Sequence, residues 1–288
     1  VVLDREEDPK MLRTVACTAA CLALVAACTV GDPNAPQPDE AQTLQLSQND
    51  ATTVAGTFVY AGSVIDFRST SADQNKVDVH LNVNGAELDI AYDLAARTMD
   101  RDGKSNALFR DELDALYELR DALSRDYGAD LAATVQGYVL LRQVDRLAEA
   151  PVGYTFVHRV VSVKKGLTVA TKSRDISSKS SPCGDDGVTC LPGTSGNAYA
   201  IFDTGDHGTC WGWWRPYGNS WCAGRCGAGC AGDDWYELIS DDDYTWDCLD
   251  HDWCTVYFNE GNGPGASNCG DEFDEAADDY IATIGNAC

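Results

Sequence analysis

Tryptophan is absent from the first 197 residues; all seven lie between Trp211 and Trp253. Cysteine is absent between Cys28 and Cys183. Basic residues are scarce in the last third, where Ala198 to Cys288 holds 18 acidic side chains against Arg215 and Arg225 alone. A segment so poor in positive charge offers no face for phosphate, which excludes nucleic-acid recognition by that part of the chain. It also disfavours anionic headgroups unless cations intervene, although most of these charges are explained as a solvated surface. No apolar run reaches the roughly 20 residues that a membrane span needs. Such unequal composition along 288 residues implies two units.

What is present begins at Met11. A short basic start (Met11-Leu12-Arg13) leads into an apolar stretch from Thr14 to Ala27 and then Cys28, with small residues before the break. This is the pattern of a secretory signal. Val25-Ala26-Ala27-Cys28 resembles the bacterial lipobox, whose cysteine becomes the lipidated first residue. The resemblance implies an exported bacterial lipoprotein anchored at Cys28. Thr29 lacks the aspartate associated with inner-membrane retention, so the outer membrane or cell surface is the expected location. Residues 1 to 10 then read as a misplaced translation start, 11 to 27 as the signal peptide, and 28 to 50 as a polar, proline-bearing tether.

Export governs the cysteines. With Cys17, Cys21 and Cys28 set aside, ten remain, all from Cys183 onward. An even number in an exported chain predicts five disulfides. Cys222, Cys226 and Cys230 are spaced by four, which matches neither paired zinc-ligand spacing nor the common cluster spacings.

Residues 51 to 165 predict a small α+β domain. Val77, Val79, Leu81 and Val83 alternate with polar residues, Asn84-Gly85 supplies a turn, and Leu88, Ile90 and Tyr92 alternate again, which is a hairpin signature. Thr57 to Arg68 reads as a neighbouring strand and Tyr154 to Val163 as a returning one. Apolar spacing predicts helices over Leu108 to Leu123 and about Asp130 to Glu149. His80 and His158 fall in strand patterns and read as surface or half-buried histidines. Residues 166 to 197, with a Ser- and Lys-rich stretch from Thr171 to Pro182, form a linker to the last unit.

Two segments of residues 198 to 288 carry the chemistry: Arg225-Cys226-Gly227-Ala228-Gly229-Cys230 and Asp247-Cys248-Leu249-Asp250-His251-Asp252-Trp253-Cys254. If Tyr244 to Phe258 is helical, Cys248 shares a face with His251 and Asp252, three and four residues on. A disulfide from Cys248 to Cys226 would pin the glycine-rich loop beside that pair. Glycines let successive carbonyls converge, and carbonyls with a carboxylate suit calcium, a hard cation of six to eight oxygens.

A C-G-x-G loop followed by a C-x-x-H-D-x-C helix resembles the calcium loop and active-site helix of secreted phospholipase A2 enzymes. The likeness covers roughly Cys222 to Ala282. It implies a mainly α, disulfide-rich C-terminal domain that cleaves the sn-2 acyl ester of glycerophospholipids at a membrane interface. It further implies Ca2+ on the carbonyls of Arg225, Gly227 and Gly229 and the carboxylate of Asp252, with His251 as the general base. The family also orients its histidine with a carboxylate from a second helix, here expected over Asp271 to Ile284, with Asp278 first and Asp274 second. The chain departs from the family at Thr255, where a tyrosine supports the orienting aspartate; Tyr257 and Tyr244 are the candidate substitutes. It carries an acidic insert from Asp233 to Asp243, and the short gap from Cys254 to Cys269 is closer to compact microbial members than to animal enzymes. The opposing expectation is a non-catalytic calcium- or lipid-binding module on the same disulfide scaffold. Trp211, Trp213, Trp214 and Trp221 form either an interfacial surface or small-core packing. His207 lacks partners at recognisable spacing, and Asp241-Asp242-Asp243 reads as a solvated acidic turn.

Overall fold

The computed structural model describes residues 42–163, 168–169, 188–193, 195–202, 210–218, 223–226, 244–258 and 268–284. Its first six strands run in unbroken succession: β1 (Thr43–Asn49), β2 (Thr53–Tyr60), β3 (Ser63–Asp73), β4 (Lys76–Val83), β5 (Ala86–Asp93) and β6 (Thr98–Asp102). Two short strands, β7 (Asn106–Ala107) and β8 (Thr155–Phe156), pair with each other, and between them lie the helices α1 (Arg110–Ala132) and α2 (Val135–Ala148). Strand β9 (Arg159–Ser162) closes a seven-stranded antiparallel sheet of order β1-β2-β3-β4-β5-β6-β9. Alternation sends Ile65, Phe67, Val77, Val79, Leu81, Val83, Leu88 and Ile90 to one face, where α1 and α2 cover them. Each such side chain, fully buried, contributes about 1.5–3 kcal/mol. The opposite face carries polar residues, including His80 and His158, whose ring nitrogens lie 2.6 and 2.9 Å from carboxylate oxygens of Asp89 and Asp100.

Local chemistry sets the breaks. The β4–β5 turn places Asn84 and Gly85 at φ 52° and 92°. That is the left-handed pair a tight hairpin requires. Helix α2 starts at Thr134, whose hydroxyl accepts the Gly137 N–H at 3.2 Å, an ordinary N-cap. A Cβ on Gly137 would lie 2.2 Å from the Leu131 carbonyl oxygen, so the α1–α2 turn requires glycine there.

Beyond the sheet, β10 (Thr168–Val169) pairs in parallel with β11 (Thr189–Cys190). An antiparallel ribbon of β12 (Ser195–Phe202) and β13 (Trp211–Gly218) lies on helix α3 (Trp246–Tyr257), which packs against α4 (Gly270–Ile284). The carboxylate of Asp250 on α3 accepts the Ile201 N–H at 2.7 Å, fastening the ribbon edge to the helix. Disulfides join Cys226 to Cys248 and Cys254 to Cys269, and Cys190 and Cys210 are also disulfide-bonded.

The expected fold class, a small α+β domain followed by a mainly α one, is overturned. Strand exceeds helix, 42% to 35%, with only four helices among the described residues and a seven-stranded sheet dominating the N-terminal region. The reasons are local. The span Thr57–Arg68, read as one strand, is a hairpin folded at Ala61–Gly62, with φ of 49° and 85°. Alanine rarely takes that conformation, so the turn carries a weak signal. Strand β1 occupies part of the predicted tether, with Leu44 and Leu46 packed against the core. Strand β6 was hidden because its inward residues are Met99 and an arginine, Arg101, which is 1% exposed. In the C-terminal segment, Ala198, Ala200 and Phe202 alternate inward as a strand.

The two segments also share their packing. Phe273, Ala277, Tyr280, Ile281 and Ile284 of α4 belong to the same buried cluster as the sheet and α2, within one unit spanning Pro38–Cys288. Helix α2 is therefore covered on both sides. Its guanidiniums bridge to the C-terminal segment: Arg142 donates to the Cys226 carbonyl at 3.1 Å, and Arg146 lies 4.7 Å from the Phe273 ring centroid. No described helix is long and apolar enough to cross a membrane.

Candidate functional site

The site is built on the first turns of α3. Cys248 faces the N-terminal segment and is bonded to Cys226, which brings the start of the glycine-rich loop against the helix. Gly224, at φ +87°, turns the chain so that its N–H points at Asp252 and its carbonyl accepts the Thr245 N–H at 2.7 Å. Glycine adopts that left-handed backbone without steric cost. The Asp252 Oδ2 accepts the Gly224 N–H at 2.6 Å. Burial drives the Asp252 carboxyl well above its ordinary range, opposed by the Gly224 N–H and the Arg225 guanidinium, because a low-dielectric setting disfavours the charged form.

His251 is 5% exposed, with its ring centroid 5.7 Å from that of Phe273. Its Nδ1 lies 3.8 Å from Asp252 Oδ1. That separation is beyond hydrogen-bond reach. Its buried Nε2 has no hydrogen-bond partner among the described residues. Burial lowers its pKa; the carboxylate of Glu149 acts to raise it and Arg146 to lower it further. The space bordered by His251, Glu149, Arg146, Arg225, Phe273 and Tyr280 amounts to about 10 Å³. Such a space has room for no more than one water.

His251, Asp252 and Arg225 are therefore neighbours. Arg225 is buried, its backbone bridged to Tyr244 and its guanidinium 3.8 Å from Asp145 on α2. Gly227 and Gly229 lie outside the described residues, as do Trp221, His207 and Asp241 to Asp243.

The two candidate orienting aspartates are placed elsewhere. Asp274 accepts from the Tyr154 hydroxyl at 2.5 Å and pairs with Arg159 at 2.6 Å and Arg101 at 3.4 Å. Three basic or phenolic groups from the N-terminal segment hold it away from the histidine. Asp278 groups with Asp247 and Asp279 near the start of α3. Neither is among the hydrogen-bond or ion-pair partners of His251 in the described residues. The substitutes for the missing tyrosine do not support an aspartate at the histidine either. Tyr257 is 46% exposed and packs on Phe202 and Trp213, and the Tyr244 ring packs on Tyr217. The Thr255 hydroxyl donates to the His251 carbonyl at 3.1 Å. Of the tryptophans, Trp211 and Trp214 are exposed while Trp213 is half-buried in the aromatic stack.

Sequence reasoning missed Glu149 and Arg146, which reach the site from α2. Burial, followed by the charge of Asp252, pushes the Glu149 carboxyl well above its ordinary range. One signal was available: Arg142, Asp145 and Arg146 sit within a helical run whose other residues are largely apolar, which marks a helix covered on more than its sheet-facing side. Residues 194–288 match the model of a domain of unknown function (DUF8213). No curated protein and no solved structure matches the chain.

Proposed function

We propose that the chain is a calcium-dependent acyl-ester hydrolase of glycerophospholipids, exported and anchored through Cys28, with His251 as its general base. One observation carries this reading: Asp252 is held by the Gly224 N–H at the mouth of the glycine-rich loop, beside a buried histidine whose Nε2 is unpartnered among the described residues. The donor chemistry fits calcium. Asp252 is a half-buried carboxylate whose ionised form desolvation opposes, and a hard cation shared with loop carbonyls offsets that penalty. Calcium, when bound there, supplies polarisation of the ester carbonyl. Asp252 and the carbonyls of Arg225, Gly227 and Gly229 would hold it. His251 takes the proton of the attacking water and returns it to the leaving alkoxide. Phe273 and Tyr280 keep the ring in an apolar wall, which holds it neutral and ready to accept that proton.

The present arrangement is closed, because the small space beside His251 cannot admit an acyl chain. Lipid entry therefore requires α2 to separate from α3 and α4. A second reading, a binding module without catalysis, is favoured by the lack of a carboxylate within hydrogen-bond reach of His251 among the described residues. The test is fatty-acid release from phosphatidylcholine mixed micelles by the oxidised chain, with millimolar calcium, with chelator, and with His251→Ala. A positioned general base contributes about 10²–10⁴-fold, so His251→Ala is expected to lose at least about a hundredfold. Folded protein that releases no fatty acid, or release indifferent to His251, would leave the binding reading in its place.

A further inference from the structure

A second group of oxygens lies at the far end of the α3–α4 pair from Cys254–Cys269. Asp247, in the first turn of α3, meets Asp278 and Asp279 of α4, with one oxygen of each within 4.8 Å of the others. Oxygens bound at roughly 2.3–2.6 Å around one calcium lie within about 5 Å of one another, so the spacing is that of a shared cation. All three side chains are buried, at 2%, 6% and 0% exposure in sequence order.

Asp279 shows most clearly that the group is incomplete. Its Oδ2 accepts the Asp247 N–H at 3.3 Å, but its Oδ1, wholly buried, has no hydrogen-bond partner among the described residues. No basic side chain is among the leading influences on the Asp279 carboxyl. Burial and the charges of Asp278 and Asp250 drive its carboxyl well above the usual range, opposed by the Thr245 hydroxyl and the Asp247 N–H. Asp278 also lines an open cleft of about 210 Å³, together with Arg159, Ser162, Asp274 and Glu275. Water in that cleft can complete a coordination shell that three carboxylates leave partly filled.

We propose that Asp247, Asp278 and Asp279 form a divalent-cation site, separate from His251 and Asp252, that ties the start of α3 to α4. The ligand class is a hard cation, calcium before magnesium, because magnesium demands octahedral geometry and sheds its waters reluctantly. The site's role is cohesion of the helix pair, so it does not depend on the chain being a hydrolase.

The test uses the full oxidised chain in an Asp252→Asn background, which removes the carboxylate of the other candidate locus. Thermal unfolding is followed with chelator and with calcium raised about a hundredfold above its apparent Kd. Expected is a rise in Tm of about 5–10 °C. Asp278→Asn and Asp279→Asn, added singly, abolish the rise. Terbium emission sensitised by Trp246, next to Asp247, reports the same occupancy and is lost in the same variants. If Asp279→Asn does not fold, Asp278→Asn at the cleft margin decides. A calcium response absent from the Asp252→Asn protein, or present and kept by Asp278→Asn, overturns the proposal.

Discussion

Replacing Phe273 by alanine tests whether the two halves of the chain are one folding unit. The ring is 3% exposed and lies at the junction. Its centroid is 5.3 Å from Tyr154 and 6.5 Å from Phe156 of the N-terminal segment, and 5.7 Å from His251 of its own. The Arg146 guanidinium stands 4.7 Å above it. Truncating a buried phenylalanine costs about 3–5 kcal/mol, and the aromatic pairs put this site toward the upper end. With a urea m-value of about 3 kcal/mol/M, the midpoint falls by about 1–1.7 M. The tryptophan distribution provides the assay. Fluorescence of Trp211 to Trp253 reports only the C-terminal segment, whereas far-ultraviolet circular dichroism is dominated by the sheet and α1. Wild type is expected to unfold with coincident midpoints by the two probes, and Phe273→Ala to shift both together. A variant in which fluorescence moves and dichroism stays would refute the reasoning, because the halves would then be stable separately.

Two further outcomes follow from the site. The folded-state pKa of Glu149 is raised well above its ordinary value of 4.5. Its contribution to stability is therefore present below that ordinary value and is lost as pH rises through the folded one. Glu149→Gln is expected to raise Tm at about pH 7.5 in chelator and to leave it unchanged at about pH 4.5; equal effects at both would show that burial of the carboxylate is not the cause. Replacing Cys226 and Cys248 together by alanine opens a loop of separation 22. That is expected to cost about 3 kcal/mol in chemical denaturation. The same variant should abolish calcium-dependent release, as Gly224 loses its fixed position beside Asp252.

What the sequence made legible was periodic or tightly spaced. The Asn84-Gly85 hairpin, the two helices after it and the helix bearing His251 and Asp252 were all read, with boundaries adjusted by a few residues. The α1 boundary moved most, from Leu123 to Ala132. The missed features depended on partners distant in sequence. Arg101 reads as a solvent-facing residue until Phe156 and Tyr154 cover it at 5.2 and 5.6 Å. Asp274 lies on α4 at a spacing compatible with a catalytic helix pair. Its actual partners, Tyr154 and Arg159, come far earlier in the chain and are invisible to any local pattern. Glu149 closes a helix as an ordinary polar end residue, and only the docking of α3 makes it part of the site.

The stripe of Phe273, Ala277, Tyr280, Ile281 and Ile284 has a consequence for descent. The recognised domain begins at residue 194, yet this stripe is buried largely by side chains that precede it in the chain. Wherever that segment is joined to a different neighbour, or to none, the stripe needs another cover or must itself become polar. Substitutions at these five positions should therefore track the identity of the upstream partner rather than the chemistry around His251. The two halves would be inherited as a matched pair, each constraining which versions of the other remain viable.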